Sequence, residues 1–190
     1  MTSPIPAADF VADILELYDR LGHLHYGEDV SQAEHAAQTA HHARADGAPA
    51  ELIAASLLHD IGHLLQKVGE DAADRGLDTR HEHIGAGYLA RGFGPRVTNP
   101  VRLHVAAKRF LALREPAYAQ GLSPASIQSL ALQGGPMTEA EAAAFLVEPG
   151  AAEALRLRRY DELGKIVGAA PAEVASYAPL LLDLVLQARA

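Results

Sequence analysis

LLHDIGHLL, residues 57–65, sets a histidine and an aspartate side by side in an otherwise apolar run. With its flanks, ELIAASLLHDIGHLLQK over 50–66, it predicts a very apolar, buried helix. Adjacent ionisable groups there need partners, because an unpaired charge in an apolar interior is costly. On one helix His59 and Asp60 point about 100° apart, so they cannot chelate an ion between themselves as an i, i+4 pair would. They can meet ions at the helix surface if other helices bring further ligands.

Working outward, the pattern stays helical. Phe10, Val11, Ile14, Leu15, Leu17 and Tyr18 predict a helix over 8–22 with Gly22 as its stop. Ser31 with Glu34 three residues on predicts a capping box opening a helix over 32–46. A polar stretch over 67–79 predicts a loop. Helices are expected over 80–92 and 96–114, with Pro100 in the first turn of the latter, where proline is tolerated. A short helix then precedes a Gly-Gly-Pro break, followed by a helix capped by Thr138 with Glu141 and a final pair over about 151–166 and 171–188. Strand-like alternation is scarce. The expectation is an all-α bundle forming one domain over residues 1–190.

The composition narrows the function. The chain has 190 residues, 49% of them hydrophobic, enough for a core of ordinary size. A net charge of -8 argues against a general nucleic-acid binder or a polybasic membrane anchor. The absence of cysteine removes disulfides and thiolate ligands and suits the cytoplasm. The N-terminus lacks the pattern of a signal peptide, and no apolar run reaches the roughly 20 residues of a spanning helix. Ten histidines are many for this length. His35 in QAEHAAQ, His81 in RHEHIGAGYL, His104 in RLHVAAK and Asp161 in LRRYDEL each fall in a predicted helix with an apolar face. Imidazole and carboxylate ligands suit Fe, Mn, Zn or Ni.

These residues resemble the HD-domain superfamily. Together with YGEDVSQAEHA, HVAAKRFL, LSPAS, LQGGPM and LRLRRYDEL, they resemble its mixed-valent di-iron oxygenases, whose members act on 2-amino-1-hydroxyethylphosphonate and its trimethylammonio analogue. The likeness runs from about residue 20 to about 165, with the terminal helices expected to pack on that part. It implies a buried pair of iron ions, Fe(II)/Fe(III), with dioxygen as co-substrate. Asp60 would bridge them. His35, His59 and Asp161 would complete one shell, and His81 and His104 would hold the other ion with positions left open. It also implies phosphonate contacts from Lys108, Arg158, Ser126 and His63. Lys108 lies four residues after His104, and His63 four after His59, so each pair shares a helix face. A solvated helix face is the competing reading for Lys108, Arg158 and Arg159. In the family a tyrosine and a glutamate gate the open ion. Glu28 fits the glutamate. The tyrosine's usual position is His25 here, with Tyr26 one place later, so the gate falls to Tyr26 or His25.

The resemblance thus implies an oxygenase that cleaves the C–P bond of a small 1-hydroxyphosphonate to a carboxylate and phosphate. A metal-dependent phosphohydrolase would use the same ligands, and a helical sensor with a vestigial site would have lost some of them. With no Trp and only four Phe, no aromatic cage for a quaternary ammonium is evident, which favours a primary amine on the substrate.

Overall fold

Ser31 accepts the backbone N–H of Glu34, and Glu34 Oε2 takes the N–H of Ser31. That reciprocal cap starts helix α2 (Gln32–Ala45) where the sequence places it. The computed structural model describes residues 5–67, 69–169 and 173–189, all helical or irregular among them. Before α2 lies α1 (Ala7–Leu21), ended at Gly22. After it come α3 (Ala50–Leu58), α4 (Ile61–Leu65), α5 (His81–Leu89), α6 (Pro95–Arg114), α7 (Pro116–Gln120) and α8 (Pro124–Leu132). Then follow α9 (Glu139–Leu146), opened by the Thr138–Glu141 cap, α10 (Ala151–Leu163), a 3-10 turn over Val174–Tyr177 and α11 (Ala178–Arg189). No helix among the described residues is long and apolar enough to cross a membrane.

The main core draws on both ends of the chain. Phe10 and Ile14 of α1 and Leu181 and Val185 of α11 join Leu52, Leu57 and Leu58 of α3, Leu89 of α5, Val101 of α6 and Leu157 of α10. Leu57 and Leu58 are fully buried, each worth about 2 kcal/mol, and they anchor the chain immediately before His59. A smaller cluster joins Leu103 and Ala107 of α6 to Met137, Ala142 and Phe145. Helix α6 therefore carries apolar residues to two cores and packs on α3, α5 and α10, while α2 packs on α3 and α10. These five helices carry or flank the titratable cluster.

The structure corrects the sequence expectation in three places. The helix foreseen over 50–66 is two helices, interrupted at the His59–Asp60 doublet, where Asp60 leaves helical geometry (φ -99°, ψ 7°). His63 is therefore not on a helix face continuous with His59. Pro100 lies inside α6, because Gly94 and Pro95 already open that helix upstream. Residues 171 and 172 of the expected last helix lie outside the described residues, and the α-helix proper begins at Ala178. The short α7, opened by Pro116, had no counterpart in the sequence reading.

Gly62 lets α4 pack directly against the start of α5. A Cβ there would sit 2.0 Å from the carbonyl oxygen of His81. Only a hydrogen at that position lets α4 and α5 approach this closely. Gly62→Ala is expected to push the two helices apart at a cost of about 1–3 kcal/mol, and to weaken metal binding through the displaced His81. Urea unfolding and a metal titration check both effects.

Candidate metal centre

Three of the cluster's imidazoles are oriented by main-chain carbonyls. His35 Nδ1 donates to Gly164 O (2.9 Å), His59 Nδ1 to Ser56 O (2.9 Å) and His104 Nδ1 to Val101 O (2.7 Å). A carbonyl only accepts, so each Nδ1 carries the hydrogen and each Nε2 faces inward. Gly164 is needed for the first of these contacts, since a Cβ there would meet Thr39 Oγ1 at 2.4 Å. His81 opens α5 after Arg80, whose backbone is left-handed (φ 48°), and its Nδ1 lies 3.7 Å from the Glu82 carboxylate.

The inward nitrogens come in two pairs. His35 Nε2 and His59 Nε2 are 3.2 Å apart, and His81 Nε2 and His104 Nε2 are 3.0 Å apart. Two facing lone pairs at that distance repel unless something positive lies between them. Asp60 touches both pairs. Its Oδ1 lies 3.2 Å from His81 Nε2 and 3.4 Å from His104 Nε2, while its Oδ2 lies 3.4 Å from His59 Nε2 and 3.7 Å from His35 Nε2. Asp161 joins the first pair, with Oδ1 at 3.4 Å from His35 and Oδ2 at 3.6 Å from His59. Ligands bonded at 2.0–2.2 Å to one ion stand about 3 Å apart when adjacent, so these spacings suit metal coordination. Two ligand groups, His35–His59–Asp60 and Asp60–His81–His104, share the aspartate.

The charges agree. Burial pushes the Asp60 carboxyl up, but His59, His104 and His81 hold it well below the usual carboxylate range. Burial also opposes ionisation of Asp161, and the Arg158 guanidinium and the His35 bond overcome it. Burial lowers the pKa of His59 and of His81 to about 4, so both offer lone pairs at neutral pH. Burial works against the charge on His35, while Asp161 and Asp60 favour it and raise its pKa.

Beside the cluster opens a cavity of about 110 Å³, where Asp60, His81, His104 and Asp161 meet Tyr26, Glu28, His63, Lys108, Ser126, Arg158 and Lys165. Lys108 is buried rather than solvated. Its Nζ donates to Ser129 Oγ (2.7 Å), and burial lowers its pKa to about 7. Arg158 is buried too, its fork spread over Tyr118 Oη (2.7 Å), Ser126 Oγ (3.2 Å), Asp161 and Glu162. Arg159 is the solvated one, paired with Glu115 at the surface. His63 stacks on His81 (3.9 Å between centroids) and on Tyr26 (4.6 Å), and its Nδ1 is buried without a partner.

The loop before α2 divides the two gate candidates. Tyr26 reaches the stack and donates to His63 O (3.0 Å), whereas His25 is exposed, with its ring against Glu28 O. Glu28 is not among the metal-ligand groups. Its carboxylate accepts from Ser123 Oγ (2.7 Å) and pairs with Lys165 Nζ (2.8 Å). Lys165, which also donates to Ser126 Oγ (2.8 Å), was missed by the sequence reading. The one available signal is its position just past Asp161.

A helical bundle that aims four imidazoles and two carboxylates at two adjoining points, beside a cavity with buried cations, defines a metal-binding enzyme. The comparisons make this specific. The chain is 40% identical over 184 residues to [1-hydroxy-2-(trimethylamino)ethyl]phosphonate dioxygenase (glycine-betaine-forming) of Leisingera caerulea, covering 96% of this chain and 94% of that one. It is 44% identical over 168 residues to hydroxymethylphosphonate dioxygenase of Gimesia maris, covering 88% and 84%. An uncharacterised protein of Acanthamoeba polyphaga mimivirus is 34% identical over 177 residues, covering 91% and 80%. No family model matches the chain. The chain belongs to the hydroxyphosphonate dioxygenase family.

Proposed function

We propose that the chain is a cytoplasmic di-iron dioxygenase, mixed-valent Fe(II)/Fe(III), that cleaves the C–P bond of a small 1-hydroxyphosphonate with O2. The observation that carries this reading is Asp60, whose two oxygens face two separate imidazole pairs at the wall of a cation-lined cavity. His35, His59 and Asp161 would hold one ion with Asp60, and His81 and His104 the other. The donor set is all nitrogen and oxygen and suits iron that cycles to the ferric state. Bound iron supplies the redox chemistry by which dioxygen reacts with a closed-shell substrate.

The residues of the chain do the rest. Lys108, Arg158 and Lys165 surround Ser126 and Ser129 and offer charge-assisted donors to a phosphonate. The second pair has two protein nitrogens and one bridging oxygen, and Asp60 keeps 17% of its side chain exposed, so this side can admit the substrate hydroxyl. Tyr26, stacked on His63, shields that side from water. The reaction balances without an outside reductant. The C–H and C–P bonds at C1 give up four electrons, O2 takes them, and its two oxygens appear in the carboxylate and in phosphate.

The test is phosphate release from hydroxyphosphonates by iron-loaded protein, with and without air. Release is expected only with oxygen, together with a coupled Fe(II)/Fe(III) paramagnetic signal that responds to substrate. Equal release without oxygen would mean a phosphohydrolase at the same ligands.

A further inference from the structure

Glu28 is the one carboxylate that reaches the inner cavity without belonging to the metal cluster or bonding to Arg158, among the described residues lining it. It is not free. Lys165 Nζ stands 2.8 Å from its Oε1, and Ser123 Oγ donates to the same oxygen at 2.7 Å. The pair is partly buried, with side-chain exposures of 13% for Lys165 and 20% for Glu28. Glu70 and Asp78 also border the cavity, but both are exposed in the outer loop, where water screens them. The inner surface instead collects cations, Lys108 and Arg158 besides Lys165. Tyr26, the one carbocyclic aromatic ring of the lining, already spends a face on His63. A quaternary ammonium finds no aromatic cage here, and on the inner surface a primary ammonium finds no carboxylate outside the metal cluster that lacks a cation, while like charge stands close by. Placing like charges together in a desolvated site is unfavourable.

We propose that the Glu28–Lys165 pair sets the choice of substrate, so that this chain takes hydroxyphosphonates with no cationic group beyond C1, of which hydroxymethylphosphonate is the simplest. The inference rests on the hydroxyphosphonate reading of the cavity. It reverses the preference for a primary amine drawn from the sequence, which could not show that Glu28 already has a cation. Lys165 acts here as a specificity determinant. It neutralises the carboxylate that would hold an ammonium, and its contact with Ser126 Oγ adds a positive charge to the phosphonate end.

The test is kcat/KM for phosphate release by the iron-loaded protein with three substrates: hydroxymethylphosphonate, 2-amino-1-hydroxyethylphosphonate and the trimethylamino compound. The first is expected to exceed the other two by about tenfold or more, a tenfold ratio being 1.4 kcal/mol. Lys165→Met frees Glu28 and should move that ratio toward the aminated substrate by about tenfold. Glu28→Gln, which removes the carboxylate and spares the cation, should leave the preference at least as strong. Wild-type preference for either cationic substrate means that Glu28 leaves Lys165 when substrate binds, and overturns the inference while the dioxygenase reading stands. So does an unmoved ratio in folded Lys165→Met. If that variant does not fold, the wild-type ratio and Glu28→Gln still decide. Phosphate from none of the three overturns the activity itself.

Discussion

Asp60→Ala is expected to leave at most one ion per chain and to lower phosphate formation by at least about 1,000-fold, some 4 kcal/mol of barrier. The size follows from position. Among the described residues, Asp60 is the one side chain placed 3.2–3.7 Å from all four inward imidazole nitrogens. Without it, His81 and His104 keep no carboxylate between them, and two neutral imidazoles hold a divalent ion weakly. The other pair retains Asp161, so a remnant of one ion per chain is the most that can persist. Asp60→Asn refines the test. An amide presents one oxygen and one NH2 group, so it accepts a cation on one side and turns N–H donors to the other. It should bind a single ion and lose the coupled signal of the pair. Metal analysis of purified protein, set beside phosphate release, reads both variants. Two ions per chain in Asp60→Ala would contradict the bridge.

How far the sequence carries is best seen around that residue. The members of the cluster stood out as candidates because chemistry-bearing side chains lie in apolar helical settings, as with His35, His104 and Asp161, and the family resemblance supplied the reading of them as ligands. The break at the doublet did not, because the apolar pattern of LLHDIGHLLQK runs on through it, and the weak helix propensity of His59, Asp60 and Gly62 does not by itself end a helix. What Gly62 answers to is the carbonyl of His81 on another helix, a tertiary contact with no trace in local pattern. Lys165 was hidden for a related reason. It follows Gly164 at the end of α10, where a lysine is usually solvated, and its partners Glu28, Ser123 and Ser126 come from the loop before α2 and the start of α8. Tyr26 and His25 differ by one place in sequence. The backbone places them differently, taking the Tyr26 ring to His63 and leaving His25 in solvent.

The second large effect is expected at Arg158, where stability and chemistry meet. The residue is 5% exposed, and its guanidinium serves Tyr118, Ser126, Asp161 and Glu162 at once. Arg158→Met keeps much of the volume and removes all of these bonds. Asp161 and Glu162 then share a buried region without their guanidinium, and breaking a buried pair in this way costs about 3–5 kcal/mol. The Asp161 carboxyl, held low chiefly by Arg158 against burial, should rise toward the ordinary range. Its hold on the ion beside His35 and His59 should weaken with it. The phosphonate also loses a donor, so KM should rise along with the fall in stability. Arg158→Lys is the informative control. A lysine restores charge near Asp161, but a point charge cannot span four partners as the planar fork does. It should recover part of the stability and less of the KM. Urea unfolding of metal-free protein separates the structural effect from metal release, and phosphate assays on loaded protein read the rest. If Arg158→Met unfolds at the wild-type urea concentration, the guanidinium does not hold the two carboxylates together, and the cation-lined wall of the cavity loses its central member.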